Sequence, residues 1–197
     1  IVGREVEKMS KSKYNVVNPD EICDTYGADT LRMYEMFLGP IEQDKPWNTA
    51  GISGVHNFLK KFWRLFYQQD QWLVSEQAPS PESLKVLHQT IKKITDDIGR
   101  LSFNTCVSSF MICINELTAL KCSNRGVLEP LLVLLSPLAP HFCEELWQKL
   151  GHTKSIEFEP FPVFDPSKVE ETAKEYPASF NGIIRFTLKL SLLLGFQ

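Results

Sequence analysis

Three lysines and two serines lie close together near the start of the chain. Lys8, Lys11 and Lys13 are interleaved with the hydroxyls of Ser10 and Ser12 in a polar stretch ahead of the first helix signal. Ammonium and hydroxyl groups on a loop suit a polyphosphate, because lysines act as point charges on phosphate oxygens. A solvated basic loop without a ligand is the alternative that composition alone leaves open.

The order of these residues is more specific than their composition. Lys8–Met9–Ser10–Lys11–Ser12 is identical to the KMSKS signature of class I aminoacyl-tRNA synthetases. Further stretches resemble the same family in the same order: residues 15–19, 26–32, 37–40, 45–48, 51–54, 57–60, 137–141, 144–147 and 181–185. Residues 37–60 and 181–185 are most similar to the bacterial leucine-specific branch. The resemblance therefore covers nearly the whole chain.

The resemblance implies a two-step reaction on ATP, leucine and tRNA(Leu). The leucine carboxylate attacks the α-phosphate of ATP to give leucyl-adenylate and pyrophosphate, and the leucyl group then moves to the terminal ribose of the tRNA. Lys8 and Lys11 are the implied catalytic residues, because they would stabilise negative charge that grows on the departing pyrophosphate. Ser10 and Ser12 would hold the loop or donate to phosphate oxygens, and Met9 would anchor the loop by packing.

Other parts of such an enzyme are missing from this sequence. It has no HIGH-type signature, Gly-rich P-loop, HExxH motif or paired cysteines. We therefore expect the amino-acid pocket and most of the nucleotide-binding sheet to lie upstream of Ile1, and this chain alone not to charge tRNA. ATP is expected as a substrate, with Mg²⁺ in the complete enzyme, and neither a cofactor nor a metal is expected on the chain by itself.

Cys106 and Cys113 share a helix face, which favours core packing.

Apolar residues recur every three or four positions over most of the chain, which predicts helices. Two short helices are expected at residues 19–26, between a cap at Asn18 and a stop at Gly27, and at residues 29–38. Five longer helices are expected at about residues 50–73, 81–101, 104–117, 126–136 and 141–150. The third of these is predicted to be capped by Asn104, and the fourth to be central because it is apolar almost all round.

The pattern changes after Gly151, where alternating residues at 156–158 and 180–190 predict strands. Residues 16–17 are a possible short strand. The predicted fold is mostly α: an antiparallel helix bundle like the class Ia anticodon-binding domain, preceded by the KMSKS loop region and followed by a truncated small α/β segment. The predicted domains are 1–48, with the loop and junction helices; 49–152, the tRNA-binding bundle; and 153–197, the beginning of a C-terminal α/β domain.

The net charge of −3 implies that RNA contacts would come from local patches. Two helix faces carry cations at four-residue spacing: Lys60 and Arg64 with His56, and Lys85, His88 and Lys92 with Lys93. Such side chains can contact phosphates without reading bases. Lys60, Arg64 and Lys92 are therefore predicted tRNA contacts, with a solvated helix face as the simpler alternative for each.

The C-terminal resemblance adds Arg185 as a fourth predicted tRNA contact. The sequence departs from the family at Ile183, which stands where the family commonly has a lysine.

His141 follows Pro140 at the start of an apolar helix, so we interpret it as a hydrogen-bonded structural histidine rather than a ligand.

Three alternatives remain open from the sequence. The chain also fits the same region of the valine, isoleucine or methionine enzymes, or a non-catalytic helical module that binds RNA or protein. A kinase-like phosphate binder is disfavoured because there is no Gly-rich loop. We expect a cytoplasmic monomer without membrane contact, since the longest apolar run, residues 131–135, is far shorter than the ~20 residues of a membrane span.

Overall fold

The apolar faces of the described helices meet in one core. The computed structural model describes residues 7–170 and the backbone of residues 173–180 and 183–191. Its α-helices are α1 (Pro19–Tyr26), α2 (Ala28–Phe37), α3 (Ile52–Phe66), α4 (Pro81–Gly99), α5 (Phe103–Ala119), α6 (Arg125–Leu135) and α7 (Pro140–Lys149). Its strands are β1 (Tyr67–Gln68), β2 (Gln71–Trp72), β3 (Ala173–Phe180) and β4 (Ile183–Ser191). Single 3-10 turns lie at Lys11–Lys13, Thr49–Gly51, Ile156–Phe158 and Pro166–Lys168.

The core is built from large side chains on successive helices. Phe62 of α3, Phe110 of α5 and Leu131 of α6 are fully enclosed, and residues 131–135 of α6 are all buried. α2 packs on α3, α5 and α7, while α4 packs on α5 and α6. These contacts confirm the predicted mostly-α bundle, and the burial of α6 confirms it as the central helix.

The two short helices near the N-terminus form where their capping residues predict them. The Asn18 side chain accepts a hydrogen bond from Asp20 N at 3.1 Å, and Pro19 occupies the first turn of α1. Gly27 ends α1 with a φ of 88°, which glycine adopts without the steric penalty of a Cβ atom. The chain therefore turns at Gly27 and starts α2 at once.

The predicted helix over residues 50–73 is wrong in its last part. α3 ends at Phe66, and β1 and β2 form a short antiparallel hairpin through Gln69, which has a φ of 54°. The rings of Trp63 and Tyr67 stack with centroids 5.2 Å apart, and Trp72 meets Tyr67 edge-on at 4.9 Å. The reversal brings Trp72 against the end of α3, whereas a continued helix would carry it away.

Two other local predictions are also wrong. Residues 156–158 form a 3-10 turn rather than a strand, because Glu144 Oε2 and Ser155 Oγ accept hydrogen bonds from Ile156 N and Glu157 N. Those N–H groups would otherwise be available to a strand partner. Residues 16–17 have no regular secondary structure.

The third long helix begins earlier than its predicted cap. Asn104 lies inside α5, and the N-cap residue is Ser102. Asp97 at the end of α4 decides this start, since its carbonyl accepts from Ser102 N at 2.8 Å and its carboxylate accepts from the Thr105 hydroxyl at 2.7 Å. The predicted cap at Asn104 is therefore wrong.

The last described strands form an antiparallel hairpin. β3 pairs with β4 from Ala173 opposite Ser191 to Phe180 opposite Ile183, with a register shift between Ala178 and Ser179. The strand predicted at 180–190 corresponds closely to β4. β3 was not predicted, because Pro177 is atypical inside a strand.

Four of the five cysteines are buried in the core, and Cys23 is half-buried. Cys106 and Cys113 are buried on one face of α5, which confirms their predicted packing role. Burial raises the pKa of Cys106 to about 11 and that of Cys113 to about 12, so both are thiols at neutral pH. Within residues 7–170, no helix is both long and apolar enough to cross a membrane.

Candidate nucleotide loop and nucleic-acid interface

The segment from Lys8 to Ser12 lies on an exposed turn directly before α1. The Ser10 carbonyl accepts from Lys13 N at 3.1 Å, and the Lys11 carbonyl accepts from Tyr14 N at 3.2 Å. Tyr14 closes this turn with a φ of 53°, in the left-handed region. The turn therefore holds the basic side chains at the surface on a short, hydrogen-bonded piece of backbone.

Ion pairing distinguishes the lysines of this loop. Lys13 Nζ lies 3.2 Å from a carboxylate oxygen of Glu7. Lys8 and Lys11 are exposed, and neither forms an ion pair with the residues that the structure describes. Among the described residues, the two lysines implied as catalytic are thus the two lysines of the loop without a carboxylate partner.

The serines and the methionine of the loop differ from each other in their surroundings. The hydroxyl oxygens of Ser10 and Ser12 lie 3.1 Å apart, which places both hydroxyls on the same side of the turn. Met9 keeps 41% of its surface exposed. Met9 is not among the described residues that pack against the core, and its role as a packing anchor stays a prediction.

A basic groove lies between α3 and α5. Lys60 and Arg64 are exposed on α3, and beside them Lys61 Nζ donates to Asn115 Oδ1 of α5 at 2.6 Å. The groove has a volume of about 440 Å³ and is lined by Asn57, Lys60, Lys61, Arg64, Leu65 and Thr118. Two predicted cations thus share a concave surface with polar groups of a second helix, an arrangement that suits an anionic backbone.

His56 does not belong to this basic groove. Its Nδ1 lies 3.4 Å from the Thr30 hydroxyl, and its ring meets Tyr26 edge-on at 5.5 Å. His56 lies one turn before Lys60 on α3, and the two residues line a neighbouring pocket together. His56 is therefore behind Lys60 and Arg64 along the helix, as predicted, but outside the groove itself.

The cations of α4 have protein partners in the structure. Lys92 Nζ lies 5.5 Å from the centre of the Phe164 ring, and His88 Nδ1 accepts from Asp165 N at 3.2 Å. Lys93 forms an ion pair with Asp97. Burial is the largest influence on the pKa of His88 and lowers it, although the Asp165 carboxylate acts in the opposite direction. The lowered pKa favours the neutral ring, which is the form that can accept this hydrogen bond. This face of α4 therefore holds the segment around Phe164.

A carboxylate joins the helices near the loop to the bundle. Asp29 of α2 is buried, and its oxygens accept from His141 Nδ1 at 2.8 Å and Phe142 N at 2.6 Å. It thus caps the N-terminus of α7, where a negative charge is favourable. This pairing confirms His141 as a hydrogen-bonded structural histidine.

Comparison with known families identifies this architecture. The family model described as tRNA synthetases class I (I, L, M and V) matches residues 1–48, and the model described as the anticodon-binding domain of tRNA ligase matches residues 82–194. The chain belongs to the anticodon-binding domain family of tRNA ligases. The match to the class I synthetase model contains the basic loop, and the match to the anticodon-binding domain model contains α4 to α7.

Similar proteins support this membership in the tRNA ligase family. The chain is 65% identical over 192 residues to a leucine–tRNA ligase of Christiangramia forsetii and 62% identical over 192 residues to one of Flavobacterium johnsoniae. In both comparisons 98% of this chain is covered, and the chain spans about one fifth of the relative, 20% of its length.

A solved structure supports the fold of this tRNA ligase domain. It is described as the ternary complex of Agrobacterium radiobacter K84 agnB2 LeuRS-tRNA-LeuAMS, and it is 27% identical to this chain with a TM-score of 0.75. The match covers 95% of this chain and 26% of that one. The similarity therefore extends over almost all of the chain.

Several residues of this tRNA ligase domain were not predicted as functional. Lys61 and Thr118 line the basic groove, and Asn115 accepts a hydrogen bond from Lys61, but the two helices that bring these residues together are far apart in sequence. Asn15 lies within a stretch that resembles the family, yet its contacts with the loop depend on a turn that residue types do not specify. Arg185 lies in β4, and its side chain is outside the described part of the structure.

Proposed function

We propose that this chain is the part of a leucine–tRNA ligase that supplies the ATP-contacting loop and a helical surface for tRNA(Leu). The observation that carries the proposal is the loop itself. Lys8 and Lys11 are exposed without a carboxylate partner among the described residues, while Lys13 is paired with Glu7. The names of the most similar proteins support leucine over valine, isoleucine and methionine.

The loop would act on the first step of the reaction. When leucine attacks the α-phosphate of ATP, negative charge increases on the pyrophosphate that leaves. Lys8 and Lys11 would meet that charge, and an interaction that strengthens in the transition state raises the rate of the step. The hydroxyls of Ser10 and Ser12, on one side of the turn, would donate to phosphate oxygens or hold the loop.

Mg²⁺ would enter with ATP as part of the substrate. The loop offers cations and hydroxyls, which are poor ligands for a hard divalent cation. Among residues 7–170 there is also no group of three or more histidine, cysteine or carboxylate side chains that could hold a metal ion. The role of this chain is therefore charge stabilisation by lysine.

We divide the chain at residues 48 and 152. Residues 1–48 would carry the loop and the helices that connect it to the bundle, residues 49–152 would bind tRNA, and residues 153–197 would begin a further domain. The family match that ends at residue 48 supports the first boundary. The contacts of Asp29 with α7 would fix the loop-bearing part on the bundle.

Leucine-dependent charging tests the proposed function. We expect the complete protein to exchange pyrophosphate into ATP and to charge tRNA(Leu) when leucine is supplied. Valine, isoleucine and methionine at equal concentration serve as controls and should support little exchange. Exchange driven by valine, isoleucine or methionine instead of leucine would contradict the proposal. Absence of exchange with all four amino acids would also contradict it and would favour a non-catalytic module.

The basic groove would hold the phosphate backbone of the tRNA. Lys60 and Arg64 would contact phosphates. The hydrogen bond from Lys61 to Asn115 would hold α3, which carries both cations, against α5. Affinity for RNA falls as salt rises, and each lost phosphate contact should reduce the magnitude of the slope of log affinity against log salt by about 1. We expect the double variant Lys60→Ala/Arg64→Ala to bind tRNA(Leu) more weakly and to reduce the magnitude of that slope by about 2, measured by filter binding between low and moderate salt.

A matched variant separates this effect from general loss of charge. Lys149→Ala removes an exposed cation at the end of α7, where Lys149 pairs with Glu145 at 3.5 Å, outside the groove. It should leave the salt slope unchanged. Equal slopes for the groove variant and the wild-type protein would show that the groove does not contact phosphates.

A further inference from the structure

We propose that Asn15 is a positioning residue that fixes the backbone of the Lys8–Ser12 loop. The inference rests on the proposed function, since it concerns the same loop and the same step. Asn15 is outside the KMSKS signature, and its side chain bears no charge. Its importance would come from the backbone groups that it holds.

The Asn15 amide bridges two backbone groups on either side of Met9. Its Oδ1 accepts from Ser10 N at 2.8 Å, and its Nδ2 donates to the Lys8 carbonyl at 3.4 Å. One side chain thus ties the backbone of a catalytic lysine to that of the serine that follows two positions later. Asn15 is partly shielded from water, which favours these hydrogen bonds over solvation.

The backbone at Tyr14 makes this bridge possible. Tyr14 has a φ of 53°, which is uncommon for a residue with a Cβ atom, and its side chain is 96% exposed. The Tyr14 ring therefore does not stabilise this conformation by packing. The reversal brings Asn15 back to Ser10 and completes the 3-10 turn, so the hydrogen bonds of Asn15 offset the unfavourable backbone angle.

Both lysines depend on this arrangement. Lys8 carries one of the bridged carbonyls, and Lys11 begins the turn that follows Ser10. Without the amide, the loop would sample more backbone conformations, and the two ammonium groups would reach the pyrophosphate less often together. The effect should appear in the rate of adenylate formation more than in ATP affinity, because the charge to be stabilised develops during the reaction.

The test compares Asn15→Ala with Val16→Ala in the complete protein. Loss of two hydrogen bonds should slow single-turnover adenylate formation roughly tenfold, with a much smaller change in the Kd for ATP. Val16→Ala trims the exposed side chain next to Asn15 and leaves both hydrogen bonds of the amide in place, so it should retain the wild-type rate. Thermal unfolding should be alike for the three proteins, which would exclude a global loss of structure.

Lys11→Ala separates failure of this inference from failure of the proposed function. If Lys11→Ala slows adenylate formation and Asn15→Ala does not, the positioning role of Asn15 is wrong while the role of the loop stands. If neither variant changes the rate, the function proposed for the loop is wrong and this inference falls with it. A Val16→Ala variant as slow as Asn15→Ala would also overturn the assignment to the amide.

Discussion

Replacing Lys11 with alanine is expected to slow leucyl-adenylate formation about 10²–10³-fold in the complete protein. Lys11 is exposed and forms no ion pair with the described residues, so its charge is free to meet the leaving pyrophosphate. Because that charge grows during the reaction, ATP affinity should fall much less than the rate. Rapid-quench single-turnover kinetics over a range of ATP concentrations would measure both quantities.

Lys13→Ala is the matched control for this prediction. Lys13 lies on the same turn, but it pairs with Glu7 at 3.2 Å, so its removal should change the rate little. If Lys13→Ala and Lys11→Ala slowed the step equally, total loop charge rather than a specific contact would be responsible. A rate that fell only in proportion to ATP affinity would mean that Lys11 binds ground state and transition state alike.

Replacing Asp97 with alanine is expected to lower the free energy of unfolding by about 2–3 kcal/mol. The Asp97 side chain is 1% exposed, and it accepts hydrogen bonds from Lys93, from Arg100 at 2.8 Å and from Thr105 at 2.7 Å. It therefore joins the end of α4 to the start of α5. The side chains of Lys93 and Arg100 are 49% and 68% exposed, so water can solvate them after the change, which limits the loss.

Urea unfolding would measure this effect, with Asp96→Ala as the control. Asp96 is the exposed neighbour on the same helix, and only its backbone carbonyl is used by Arg100. Its removal deletes the same charge without opening the core, so the change should stay within about 0.5 kcal/mol. Equal losses for the two variants would mean that the hydrogen bonds of Asp97 contribute nothing beyond its charge.

The contribution of Asp97 should also depend on pH. Burial alone would raise the pKa of Asp97, but the hydrogen bonds from Lys93, Thr105 and Arg100 outweigh it and hold that pKa below its ordinary value of 3.8. The folded state thus binds the proton less readily than the unfolded state, and stability increases with pH across this range. The stability difference between wild type and Asp97→Ala should be constant above about pH 5 and shrink as the pH falls through the folded pKa.

The candidate loop was predictable from sequence because its specificity lies in residue order. Five consecutive positions predict Lys8 and Lys11 as phosphate-contacting residues, and the family match over residues 1–48 is in line with that prediction. The distinction between Lys11 and Lys13 was not predictable. It depends on Glu7 reaching Lys13 across the turn, and all three lysines look alike in composition.

Short-range interactions explain which parts of the fold could be predicted from sequence alone. Asn18 caps α1 through the N–H group two residues later, and Gly27 ends the helix by its own backbone freedom. α6 is apolar almost all round, so its central position followed from hydrophobicity. In each example the responsible atoms lie within a few residues of each other, so local sequence contains the necessary information.

Contacts between distant residues decided the remaining features. α3 ends at Phe66 because Trp72 folds back onto its aromatic end, although the apolar spacing continues as in a helix. Asp29 meets His141 across 112 residues, and Lys61 meets Asn115 across 54. Those partners are chosen by helix packing, which brings together side chains that no local pattern relates, so the junction and the basic groove became visible only in three dimensions.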